Sequence, residues 1–131
     1  MPTQILALYD RSALGDLAVE TAFQAAREQA TAALHLLAIP SVADDAAQCE
    51  RLSDDLIAFA RIGQRYGIVL DGAVIVEPTV ERITTEVRAR KINLLVIAKP
   101  ASQRGSTELS RLLDAVAHVT GIPTTVVHGG P

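Results

Sequence analysis

The sequence predicts an α/β domain with a doubly wound parallel sheet, and three observations predict it. Short apolar runs without polar alternation recur five times along the chain, as expected of strands buried on both faces. Between them lie stretches whose apolar residues return every three or four positions, the period of an amphipathic helix. Turn and cap residues (Asp, Ser, Gly, Pro, Asn) separate the two kinds of segment. Strict β-α alternation places a parallel sheet between two layers of helices, with right-handed crossovers. The 131 residues suit one domain spanning 1–131.

The first strand is Ile5 to Tyr9, stopped by Asp10-Arg11-Ser12. An Ala-rich helix follows from Leu14 to Gln29, with Leu17, Thr21 and Ala25 on one line; alanine favours helix and allows close packing on a sheet. The second strand is Leu34 to Ile39, ended by Pro40. Ser41 and Asp44 resemble a capping box for the second helix, which runs to about Tyr66 with Gly67 as its stop. Leu52, Leu56, Phe59, Ile62 and Gly63 mark its inner face.

Ala73 to Val76 reads as the third strand, and Pro78 suits the first turn of the third helix. Val80, Ile83 and Val87 face inward there, Arg88, Arg90 and Lys91 suit its C-terminal end, and Asn93 is its expected cap. Leu94 to Ala98 is the fourth strand. Leu109, Leu112, Leu113 and Val116 then mark a fourth helix, closed by Gly121 and Pro123 before a fifth strand, Thr124 to Val127.

Composition removes several classes of function. Aromatics are 3% of residues and the net charge is −3, so neither base stacking nor a basic stripe is available for nucleic acid. The single cysteine, Cys49, cannot form an internal disulfide and suits a reducing compartment. The N-terminal residues lack the basic and apolar regions of a signal peptide, and no apolar run approaches a bilayer span. A cytoplasmic protein without membrane insertion is expected.

In open sheets of this kind ligands collect outside the carboxyl ends of the strands, where strand order reverses. That directs attention to the loop after the first strand and to the loop from Ala98 to Ser110. The first strand ends in Asp10-Arg11-Ser12 before an Ala-rich helix. Glu77-Pro78-Thr79-Val80-Glu81-Arg82-Ile83 then leads to Asn93-Leu94-Leu95-Val96-Ile97, and Leu109-Ser110-Arg111-Leu112-Leu113 to Gly121-Ile122-Pro123 and the last strand.

This succession resembles the universal stress protein family along nearly the whole chain. The resemblance implies a Rossmann-like fold of the adenine nucleotide alpha hydrolase type, with strand order 3-2-1-4-5. It also implies a homodimer paired through the fifth strand, Thr124, Thr125, Val126 and Val127.

Many members of that family bind ATP through a Gly-x-x-Gly…Gly-Ser or Gly-Thr pattern after the fourth strand, where small residues let backbone N–H groups reach phosphate oxygens. Here Ala98 and Ala101 stand at the first two glycine positions and Ser110-Arg111 at the distal pair. Lys99-Pro100 also intrudes, and proline removes a donor. The candidate binding residues are therefore Asp10, Ser12, Ala98, Lys99, Ala101, Arg104, Ser110 and Arg111, with Gly105-Ser106-Thr107 as a different anion nest. The competing reading of Lys99, Arg104 and Arg111 is solvated loop charge, and that of Asp10 is a turn or cap residue.

Other chemistries find no support. A Lys-Pro pair follows a strand in response-regulator receivers too, but the paired acids and the phosphoacceptor Asp are missing. His35, His118 and His128 lack metal-ligand spacing, Cys49 sits among acids that disfavour a thiolate, and no serine lies in a nucleophile elbow. The reading is a non-enzymatic stress-response or regulatory protein without tight ATP binding, with no catalytic or metal-binding residue and no cofactor. The alternative is a module that holds ATP, AMP or a cyclic nucleotide through a rearranged loop; a slow nucleotide hydrolase ranks third.

Overall fold

The computed structural model describes residues 3–29, 32–42, 45–101 and 107–129. Five strands and four helices alternate: β1 (Thr3–Tyr9), α1 (Ala13–Arg27), β2 (Ala32–Ala38), α2 (Ala46–Arg65), β3 (Val69–Val74), α3 (Val80–Ala89), β4 (Leu94–Lys99), α4 (Glu108–Thr120) and β5 (Thr124–His128). The strands form one parallel sheet in the order β3-β2-β1-β4-β5, the order the family resemblance implies.

Successive side chains of a strand point to opposite faces, and the central strands divide accordingly. Ile5, Ala7 and Tyr9 of β1, with Leu34 and Leu36 of β2, pack under α1 and α2. Leu6 and Leu8, with Leu37, Leu95 and Ile97, pack under α3 and α4. Two apolar cores thus share the sheet as a common wall, which is why these strands read as apolar runs, broken only by His35 in β2.

Several local expectations are corrected. The cap of α2 is Asp45, whose side chain accepts from Gln48 N at 3.0 Å; Ser41 instead accepts from the Gln48 side chain, and Asp44 lies outside the described residues. Ile62 is exposed rather than inward. Pro78 precedes the Thr79 cap of α3 instead of occupying its first turn.

The third strand begins four residues earlier than its apolar run suggests and ends at Val74, leaving Val76 exposed. Asp71 and Gly72 hide this strand in the sequence, yet each has a place. Asp71 sits at the sheet edge, 2.6 Å from Arg90 Nη1. Gly72 lets α2 approach, since a Cβ there would lie 3.0 Å from Leu56.

Asn93 is not the cap of α3, which is Arg90. Instead Asn93 N donates to Gln4 O at 3.0 Å and Asn93 Oδ1 accepts from Gln4 N at 2.9 Å. This two-way clasp starts the β1–β4 pairing, in which Ile5 lies beside Leu94.

Candidate functional site

The chain leaves β1 toward β2 and leaves β4 toward β5, so the carboxyl ends of these neighbouring strands open onto a crevice. On the β1 side, Asp10 Oδ1 accepts from Ser12 N at 3.1 Å and also from the Ser12 hydroxyl. Ser12 in turn caps α1 by accepting from Gly15 N at 3.0 Å. A Cβ on residue 15 would lie 2.6 Å from Asp10 Oδ1, so any side chain there would have to displace the Asp10 carboxylate. The turn role weighed for Asp10 is present, while the cap of α1 is Ser12.

Arg11 takes a left-handed backbone conformation, φ +67°, uncommon outside glycine. Its Nε lies 3.0 Å from Asp55 Oδ2 on α2, the atom that also accepts from the Tyr9 hydroxyl at 3.0 Å. Burial, and then the Asp55 carboxylate, push the Tyr9 hydroxyl up to about 12. Sequence reasoning missed this cluster because Asp55 is remote in the chain and carries no motif.

On the β4 side, Lys99 Nζ lies 2.9 Å from Asp114 Oδ2 on α4. Its charge is therefore partnered within the chain. Ser110 is buried in the first turn of α4. Its N donates to Thr107 Oγ1 and its hydroxyl to Thr107 O, both at 3.0 Å, so neither donor points to a ligand. Ala101 and Arg111 are exposed and Ala98 is half-buried. Arg104, Ser102 and the Gly105-Ser106 part of the candidate nest lie outside the described residues.

Asp10, Ser12, Ala98 and Ser110 do converge, around a cavity of only about 40 Å³ walled by Leu14, Leu109 and Leu113. That is room for a few water molecules. A larger open cleft of about 880 Å³ lies beside it. Asp10, Glu108 and Arg111 supply its charges, and Ile39, Pro40, Val76, Pro78 and Val80 much of its apolar wall. Sequence reasoning missed that wall by attending to the β1 and β4 loops alone. The available signal was that Pro40 and Val76 also follow strands at this edge of the sheet.

The histidines stand apart from the site. His35 in β2 is buried, with Nε2 2.6 Å from Gln4 Oε1 and Nδ1 3.2 Å from Arg90 Nη1. Arginine has no acceptor, so Nδ1 carries the lone pair and Nε2 the proton. Burial, and then the Arg90 charge, lower the His35 pKa below the usual value. His118 sits in the last turn of α4, where a cation suits the dipole. Among the described residues no three His, Cys, Asp or Glu side chains converge as metal ligands, and no helix is long and apolar enough to cross a membrane.

No protein-family model and no curated protein sequence matches this chain. Solved structures do. A protein of the universal stress protein family from Burkholderia pseudomallei aligns over 95% of both chains at 18% identity, with a TM-score of 0.70. A universal stress protein solved in complex with cAMP is 20% identical over 97% of both chains, with a TM-score of 0.64. The universal stress protein from Archaeoglobus fulgidus, in complex with dAMP, is 13% identical, covers 96% of this chain and 97% of its own, and has a TM-score of 0.66. The fold is that of the universal stress proteins, a Rossmann-like α/β sandwich.

Proposed function

We propose that this chain is a universal-stress-protein-like regulatory protein of the cytoplasm that works by binding rather than catalysis and does not hold ATP tightly. The observation that carries this reading is the 40 Å³ crevice between the ends of β1 and β4. The surrounding residues do not fit a triphosphate. Ser110 spends both donors on Thr107, Lys99 is paired with Asp114, and alanines replace the glycines whose backbone would approach phosphate. Among the described residues, two acids, Asp10 and Glu108, against one base, Arg111, line the neighbouring cleft, a balance that disfavours several phosphate charges.

A second reading has one observation in its favour. The larger cleft, at about 880 Å³, falls in the size range of small-molecule sites, and similar folds were solved with cAMP and dAMP. Its apolar wall would take the adenine of a nucleotide carrying a single phosphate.

Thermal unfolding with ATP, ADP, AMP and cyclic AMP, each with and without Mg²⁺, separates the two. A ligand at 100 times its Kd stabilises by about 2.7 kcal/mol. No shift with ATP is expected; a clear ATP shift would overturn the first reading. A shift with AMP or cyclic AMP alone would establish the second.

For the partner, we propose a homodimer joined through β5. This strand pairs with β4 on one side, lies at the end of the sheet order, and leaves Val126 42% exposed. An apolar edge of that kind calls for cover.

A further inference from the structure

The outer face of α2, at the opposite end of the sheet from β5, carries a charge pattern that folding of the single chain does not explain. Its buried face is Leu52, Leu56 and Gly63. Diametrically opposite, Glu50, Asp54, Ile57, Ala58, Arg61 and Arg65 form one exposed stripe about 100° wide at helical periodicity. Ile57, near its middle, is 53% exposed.

Within the stripe Glu50 and Asp54 are four residues apart, as are Arg61 and Arg65. Like charges at this spacing repel along a helix. None of the four has an ion-pair partner among the described residues. The helix dipole favours acids at the start and bases at the end, but only over the first and last turns; of the four only Arg65 falls in such a turn, and Glu50, Asp54 and Arg61 lie between them.

The order along the helix is acid, acid, apolar, small, base, base. Reversed, it is its own complement. Antiparallel pairing centred between Ile57 and Ala58 sets Glu50 against Arg65, Asp54 against Arg61 and Ile57 against Ala58, twice over. Arg51, at the rim of the stripe, then meets Gln64 rather than another base. The geometry points to a second copy of this chain as the occupant of this face, docked α2 to α2 about a two-fold axis. Two-fold symmetry requires such a self-complementary patch. With β5 serving one edge of the sheet and α2 the other, the contact would link β5-paired dimers into larger assemblies.

Charge reversal tests the pairing. In sedimentation velocity, a Glu50→Arg/Asp54→Arg chain and an Arg61→Asp/Arg65→Glu chain should each lose the concentration-dependent self-association that α2 provides, because each then opposes like charges. Mixed together they should associate again. A mixture no more associated than either chain alone would overturn the proposal.

A second test reads the register without reversing any charge. In a Cys49→Ser background, Ala58→Cys should be joined efficiently to its symmetry mate by a short bismaleimide. Arg65→Cys should not, because its two copies stand about 22 Å apart along the antiparallel pair. Linking of both positions, or of neither, would sink the α2 pairing. Neither outcome depends on β5, because no cysteine is placed there.

Discussion

Lys99 Nζ on β4 lies 2.9 Å from Asp114 Oδ2 on α4, so the cation at the carboxyl end of β4 is already partnered. Both side chains are partly solvated, which limits the pair to about 1 kcal/mol or less. Asp114→Asn should therefore shift the urea midpoint only slightly. If the small crevice excludes ATP, it should also confer no ATP-dependent thermal shift, whereas a new shift would make Lys99 pairing the sole block.

The Asp10–Gly15 approach makes a sharper prediction. Gly15→Ala places a methyl 2.6 Å from Asp10 Oδ1 and 3.1 Å from Asp10 N, and overpacking of this kind costs about 1–3 kcal/mol. Adding Asp10→Ala should recover part of that loss in a double-mutant cycle. Strict additivity in chemical denaturation would contradict the contact.

His35 should make the fold acid-sensitive. Its folded pKa is below the usual 6.5, from burial and then from Arg90, so the unfolded chain binds the extra proton first. Stability is full above 6.5 and falls as pH drops from 6.5 toward the folded value. Protonation would also turn Nδ1 into a donor facing Arg90, with Glu86 and Asp71 already engaged by that arginine. His35→Gln should flatten this slope in pH-dependent unfolding; a His35 titration by NMR at or above 6.5 would refute the assignment.

Tyr9 acts at the other end of the scale. Its hydroxyl, raised from 10.0 to about 12, keeps its full contribution below pH 10 and loses it as pH climbs through 12. In a Tyr66→Phe background, absorbance should show a single phenolate midpoint near 12. Asp55→Asn should move it down without restoring the ordinary value, because burial is the larger cause.

For β5, Val126→Asp puts a charge on the exposed edge strand and should shift the protein toward monomers in size-exclusion chromatography. An elution volume equal to that of the unsubstituted chain would rule out this interface.

How much of this is legible in the sequence depends on where each residue finds its partner. The central strands read clearly because Ile5–Tyr9, Leu34–Ile39 and Leu94–Ala98 bury both faces, with His35 the one polar interruption. β3 does not, because Asp71 is stabilised by Arg90 and Gly72 by the closeness of Leu56, both far away in the chain. The position of the candidate site follows from alternation and the switch-point rule, and Asp10, Ser12, Ala98 and Ser110 do converge there. Its capacity does not follow. Thr107, in sequence part of a candidate anion nest, instead caps α4 and takes both donors of Ser110, and nothing near Lys99 names Asp114.

The clasp between Gln4 and Asn93 joins residues 89 positions apart. During synthesis, β1 can pair with β2 early but must wait for more than half the chain to emerge before its other edge is covered. Until then an apolar strand edge is open, and contacts of such long range slow folding. By setting Ile5 beside Leu94 through two backbone-directed bonds, Asn93 acts as a latch at the moment that edge is closed. Asn93→Ala should thus show itself first as slower refolding and greater loss to aggregates, ahead of any change in the finished protein.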